Sequence, residues 1–206
     1  HGVRDPVRGA AAATCGGSAV ILELAWDLRG SLPADPGYQL YAAVCGELPA
    51  QVHGSDRWAM AVVGEDLRIR CDLELAGAFI EGLRCARLRV GEQMVHLPRA
   101  AQAETLQAAP ELVAEGVTIK DSIRGTSDMS TDDFGRALAR QLADAGVQAG
   151  WRIGGQRLGM VRGRLVAGYA VHLRGLDPAG SLRLQARGLG GRLRMGWGWL
   201  RPPSDR

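Results

Sequence analysis

The stretch Gly188-Leu189-Gly190-Gly191-Arg192-Leu193-Arg194-Met195-Gly196-Trp197-Gly198 holds five glycines and two arginines in eleven residues. Glycine destabilises a helix interior and visits positive φ freely, so this segment is a loop that lets another group approach its backbone. Two readings follow. Its N–H groups can cradle phosphate oxygens, with Arg192 and Arg194 adding charge-assisted bonds, or it is a glycine-rich β-turn. The order is Gly-x-Gly, five residues, Gly-x-Gly, closed by an apolar, strand-like run from Met195 to Leu200. Leu193 stands where a dinucleotide-binding fingerprint needs its third glycine. No Gly-Lys-Ser/Thr follows, which excludes a P-loop.

Charge distribution points the same way. Residues 1–150 carry 14 Lys and Arg against 20 Asp and Glu, whereas residues 151–206 carry 11 arginines against Asp177 and Asp205 alone. A polyanion is therefore the expected partner of the C-terminal quarter. Arginine abundance by itself says little, since 24 of the 25 basic residues are arginine. The one lysine, Lys120, reads equally well as a surface residue or as an RNA contact. Arg162 and Arg164 flank Gly163 on an expected strand, face one side and line a groove for RNA.

Cys15, Cys45, Cys71 and Cys85 form no C-x-x-C pair and have no histidine at ligand spacing. That argues against a zinc site and fits buried thiols in a reducing cytoplasm. The apolar run from Ala19 to Trp26 is interrupted by Glu23 and is too short to span a bilayer. Residues 1–17 have the composition of a disordered tail.

Along the chain, Ala19 to Leu28 reads as a strand and Gly37 to Leu48 as a helix, its stripe formed by Leu40, Val44 and Leu48. Pro49 stops that helix and leaves His53 on a turn. Trp58–Val63 and Leu67–Leu73 make a hairpin around Gly64, followed by a helix over Leu75–Leu83 and strands over Cys85–Val90 and Met94–Leu97. This is the ferredoxin-like order. The Ala- and Gln-rich residues 100–110 read as a linker between a first unit, 18–99, and a second, 111–206. In the second unit the order restarts. Glu111–Ile119 is a strand, and Thr131-Asp132-Asp133 caps a helix over Phe134–Ala145. Strands over Arg157–Arg164 and Leu165–Leu173, a helix over Pro178–Arg187 and the glycine loop complete it. The expected fold is α+β, with tandem ferredoxin-like (RRM-like) βαββαβ units and a C-terminal glycine-rich loop.

Four histidines offer general acid–base chemistry near neutral pH. His1 lies in the tail, and His96 and His172 sit among apolar neighbours on strands and read as structural. His53 is set apart by the polar Gly54, Ser55, Asp56 and Arg57 that follow it.

Tyr41–Gly54 (YAAVCGELPAQVHG), Val117–Lys120 (VTIK) and Ser181–Gly191 (SLRLQARGLGG), together with the loop, resemble the Cas-six family of CRISPR-associated repeat endoribonucleases. These belong to the RAMP superfamily, and the resemblance is to the MYXAN-subtype variant. It spans about residues 19–203. It implies cleavage by the substrate's own 2′-hydroxyl, with no metal or other cofactor. His53, in the HG that follows the helix, would be the catalytic base or acid. Arg57 would stabilise charge, and Tyr38 is a further catalytic candidate, since some relatives use a tyrosine of this helix. No lysine follows His53 closely, unlike in several relatives. The RNA-binding set implied is Lys120, Arg124, Arg162, Arg164, Gly188, Gly190, Gly191, Arg192, Arg194, Gly196 and Gly198. The partners implied are a hairpin-forming CRISPR repeat RNA, the mature guide RNA and subunits of an interference complex, with no membrane. A non-catalytic RAMP subunit that only holds guide RNA is the alternative.

Overall fold

A computed structural model describes residues 20–119, 129–161 and 163–203. The expected tail, Cys15, Lys120, Arg124 and Arg162 lie outside these residues. The first unit runs β1 (Ile21–Asp27), α1 (Gly37–Gly46), α2 (Ala50–His53), β2 (Trp58–Val63), β3 (Asp66–Asp72), α3 (Leu73–Gly82), β4 (Arg87–Val90), β5 (Gln93–His96) and β6 (Gln102–Thr105). Its antiparallel sheet has the order β2-β3-β1-β6, the ferredoxin-like order with β6 as fourth strand. Leu24, Trp26, Ile69 and Met60 from the strands pack with Leu40, Val44 and Phe79 from the helices.

The fourth strand corrects the sequence reading. Gly91, at φ 64°, turns β4 straight back into β5, so these two strands form a sheet of their own, tied to the chain beyond β1 by a bridge between His96 and Arg29. The edge place beside β1 goes instead to β6, which lies inside the expected linker. The rest of that connection is docked as well. Gln185 Nε2 donates to Gln107 O at 2.8 Å and the Ala109 amide donates to Ser181 Oγ at 2.9 Å.

The second unit runs β7 (Glu111–Val117), α4 (Thr131–Asp144), β8 (Gly150–Val161), β9 (Arg164–Arg174) and α5 (Pro178–Arg187). Its sheet has three strands, β7-β9-β8. Ser130, not Thr131, caps α4, its hydroxyl accepting from the Asp133 amide at 3.1 Å. Phe134, Leu138 and Leu142 from α4 face Leu112, Val171 and Leu173 from the sheet. β8 starts seven residues earlier than expected and ends at Val161, because Gly163 at φ 74° makes the turn into β9. Asp177 caps α5, which ends at Gly188 with φ 68°. The expected strand over Met195–Leu200 is absent. A 3-10 turn, Leu193–Met195, is followed by Gly196 and Gly198 at φ 78° and 65°, and these left-handed glycines prevent an extended run. Isolated bridges from Thr118 to Gly191 and from Val113 to Arg201 lay this segment along β7, where a fourth strand would stand.

Trp197 and Trp199 explain how the two units join. Glycines from all three strands of the second sheet, Gly116, Gly159 and Gly168, make a bed for the Trp197 ring, and a Cβ at each would lie within 3.0 Å of it. Arg157 stacks on the same ring with its guanidinium 4.7 Å from the centroid. Trp199 packs on Ala59 and Ala61 of β2, on the side of the first sheet away from its helices. Beside it Arg70, 3% exposed, lies flat over the Trp199 ring at 4.0 Å. Its Nε donates to Glu23 at 2.7 Å, and its Nη1 donates to Gln185 O in the last turn of α5 at 2.8 Å and to Leu200 O at 2.6 Å. A guanidinium can fill all these roles because it is planar and forked. Burial pulls its pKa down and Glu23 opposes that pull. Among the described residues no helix is long and apolar enough to cross a membrane.

Two matched substitutions test the glycine bed. Gly159→Ala forces a methyl within 2.8 Å of Trp197 and 2.9 Å of the Asp35 carboxylate and should cost about 1–3 kcal/mol in urea unfolding. Gly155→Ala on the same strand meets nothing within 4 Å and should leave the midpoint unchanged or slightly raised. Arg70→Met strips two buried carbonyls of their donor and leaves Glu23 with Arg68 alone. It should lower stability by roughly 3 kcal/mol in the same assay.

Candidate active site

Pro49, with φ −58° and ψ 145°, separates α1 from the single helical turn α2, so the chain reverses in the space of a few residues. Val52 is buried, and its carbonyl accepts from Trp58 Nε1 at 3.0 Å, which pins α2 to the start of β2. His53 ends the turn, half-buried, with Nε2 at 2.9 Å from Leu48 O. A carbonyl oxygen only accepts, so Nε2 carries the proton and the neutral ring keeps its lone pair on Nδ1. Gly54 and Asp56 beyond it are exposed.

Arg57 is engaged. Its Nε pairs with Asp72 and its Nη2 donates to Glu74 at 2.6 Å, so two carboxylates at the start of α3 face its charge. Those hydrogen bonds, Glu74 first and then Asp72, hold its pKa above the ordinary arginine value. Tyr38 and Tyr41 lie on α1. Tyr41 stacks on Trp58 with centroids 5.8 Å apart. Burial raises the Tyr41 pKa, and a hydrogen bond with Cys45 raises it further.

The C-terminal loop comes to this same corner. The main chain of Met195 packs against Gly37 at the start of α1, and Leu193 packs near Ala59 and Ala61. Arg194 Nη1 donates to His53 O at 2.8 Å and to Ser55 O at 3.0 Å. Its guanidinium lies 5.6 Å from the Tyr41 ring centroid and 5.7 Å from that of Trp58. Sequence reasoning placed Arg194 on phosphates. In the structure it contacts the histidine turn.

Five of the eleven amides expected to be bare along the loop are engaged within the chain. The amides of Gly188, Leu189, Gly191, Met195 and Gly198 donate to Leu184 O, Gly198 O, Thr118 O, Arg192 O and Gly116 O at 2.7–3.1 Å. Gly190 at φ 83° and Gly198 at φ 65° are required by close backbone approach to Thr118 and Leu189. Arg192 is half-buried in a left-handed conformation at φ 61°. Arg164 is exposed at the start of β9. The paired alternation of Trp197 and Trp199 around Gly198 was the signal for the interdomain wedge, masked by its resemblance to an apolar strand.

Two ferredoxin-like units in tandem, with the end of the second folded onto a histidine turn of the first, define the class of this protein by its fold. The family model described as Cas6 Crispr matches residues 62–205. The CRISPR-associated endonuclease Cas6 of Myxococcus xanthus (strain DK1622) is 31% identical over 198 residues, which is 90% of this chain and 83% of that protein. Among solved structures, the product of a Cas6-related gene from Pyrococcus furiosus aligns with TM-score 0.62 and 10% identity, covering 92% of this chain and all of that one. A RAMP protein described as binding different RNA substrates aligns at 0.63 and 12%, covering 88% and 98%. The chain belongs to the Cas6 family.

Cysteine reactivity checks the packing around the site. Burial, with Asp72 adding to it, pushes the Cys71 thiol up to about 12, and burial also raises Cys45. Cys85 is exposed. Since the thiolate is the nucleophile, iodoacetamide at pH 8 should label Cys85 and spare Cys45 and Cys71 until urea is added, as read by peptide mass mapping. Cys71 favours the fold below the ordinary thiol value, and that contribution disappears as pH climbs toward about 12.

Proposed function

We propose that this chain is an endoribonuclease that cuts CRISPR repeat RNA within its precursor transcript in the cytoplasm, giving guide RNAs, without a metal ion. The observation that carries the reading is His53, held on a partly exposed turn with its Nδ1 lone pair uncommitted among the described residues in the neutral ring, in a chain of the Cas6 family. Nδ1 takes the proton of the 2′-hydroxyl, and the 2′-oxygen attacks the adjacent phosphorus in line. The bond from phosphorus to the 5′-oxygen breaks as that oxygen gains a proton. The products are a 2′,3′-cyclic phosphate and a 5′-hydroxyl end. Tyr38 is the candidate donor of that proton. Arg57 shares its charge with Asp72 and Glu74, so its contribution is to fix the β2–α3 corner beside the turn.

RNA is held by the basic residues clustered in sequence around the second unit: Lys120 and Arg124 between β7 and α4 in sequence, Arg162 between β8 and β9 in sequence, Arg164 at the start of β9, and Arg192. A repeat hairpin recognised through its phosphates fits this set better than stacking on splayed bases, since arginines outnumber exposed aromatics there. The matured guide RNA stays bound and is handed on to interference subunits.

The test is cleavage of cognate repeat RNA in EDTA. The intact chain should cut. His53→Ala should slow cutting by about 10²–10⁴-fold, and a 2′-deoxy substitution before the scissile phosphate should abolish it. Tight binding without cutting by the intact chain would leave a guide-holding subunit as the function.

A further inference from the structure

The contact between Arg194 and the histidine turn reaches across 141 positions of sequence. Its geometry is that of a clamp. One guanidinium nitrogen bridges two carbonyls, His53 O at 2.8 Å and Ser55 O at 3.0 Å, that bracket Gly54. The plane of the group rests by two aromatic rings, Tyr41 and Trp58, that are themselves stacked. His53 O closes α2, and a cation at a helix C-terminus meets the negative end of the aligned peptide dipoles.

The turn needs such a clamp. On the inner side it is fixed by His53 Nε2 on Leu48 O and by Trp58 Nε1 on Val52 O. On the outer side Gly54 and Asp56 are exposed, and a Cβ built on Gly54 meets nothing within 4 Å. Arg194 itself is rigidly carried. Its 3-10 turn lies between left-handed Arg192 and Gly196 and is wedged against Gly37 and the β2 alanines.

We infer that Arg194 is a positioning residue, not a phosphate contact: the C-terminal loop holds the backbone of the His53 turn and thereby sets the direction of the imidazole. This rests on the endoribonuclease reading above for its catalytic consequence, and on the contacts alone for its structural one.

The test uses the full chain with Arg194→Ala and Arg194→Lys. Three quantities are measured: the Kd for 2′-deoxy repeat RNA, which cannot be cut, the single-turnover rate at saturating cleavable RNA, and amide hydrogen exchange over residues 53–57 without RNA. Arg194→Ala should hold Kd within about twofold while the saturated rate falls on the order of a hundredfold, the scale of a catalytic group displaced by an ångström. Exchange over 53–57 should quicken. Arg194→Lys should recover part of the rate, since an ammonium reaches the carbonyls without the flat stacking face; it also carries the test should the alanine variant fail to fold. A weakened Kd whose salt dependence drops by about one phosphate contact, with the saturated rate intact, would overturn the inference. So would unchanged exchange over 53–57. An intact chain that does not cut the cleavable RNA would remove the catalytic half along with the nuclease reading, and the exchange measurement would still decide the clamp.

Discussion

Two indole rings, one residue apart on either side of Gly198, hold this molecule together. A ferredoxin-like sheet covers one face with helices and leaves the other open, and two such sheets side by side need something to fill the space between the open faces. Here that material is the C-terminal segment. Trp197 turns into a bed of glycines on the second sheet, and Trp199 settles on a bed of alanines on the first. Each sheet has given up side-chain volume where its ring lands. Arg70 then completes the seam, because a guanidinium can stack on an indole and still serve a carboxylate and two carbonyls in one plane.

The candidate site inherits its order from that seam. Once Trp197 and Trp199 are seated, the loop before them is brought against α1 and β2, and Arg194 falls beside the turn that carries His53. The loop's glycines belong to the same account. They let the backbone double back on itself and on β7 within hydrogen-bonding distance. Their abundance reflects close main-chain packing.

Much of the architecture was legible in local pattern. The i, i+4 stripe of Leu40 and Val44, the Gly64 hairpin and the Asp177-Pro178 start of α5 are short-range signals, and each element formed where its residues said it would. β6 was not legible, because GlnAlaGluThr has no apolar alternation and is a strand only through pairing with β1. His53 could be singled out by the polar residues around it on a turn. The partners of Arg57 and Arg194 could not, since a basic residue near a turn or a glycine run reads as an anion ligand until the fold brings Asp72, Glu74 or a pair of carbonyls to it.

Synthesis runs from the first residue to the last, and the clamp on the histidine turn comes late. Once β6 has been made, every strand of the first sheet exists, and so does His53. Arg194, Trp197 and Trp199 are made only after every strand of both sheets. The order of elongation thus separates making the histidine turn from bringing Arg194 against it.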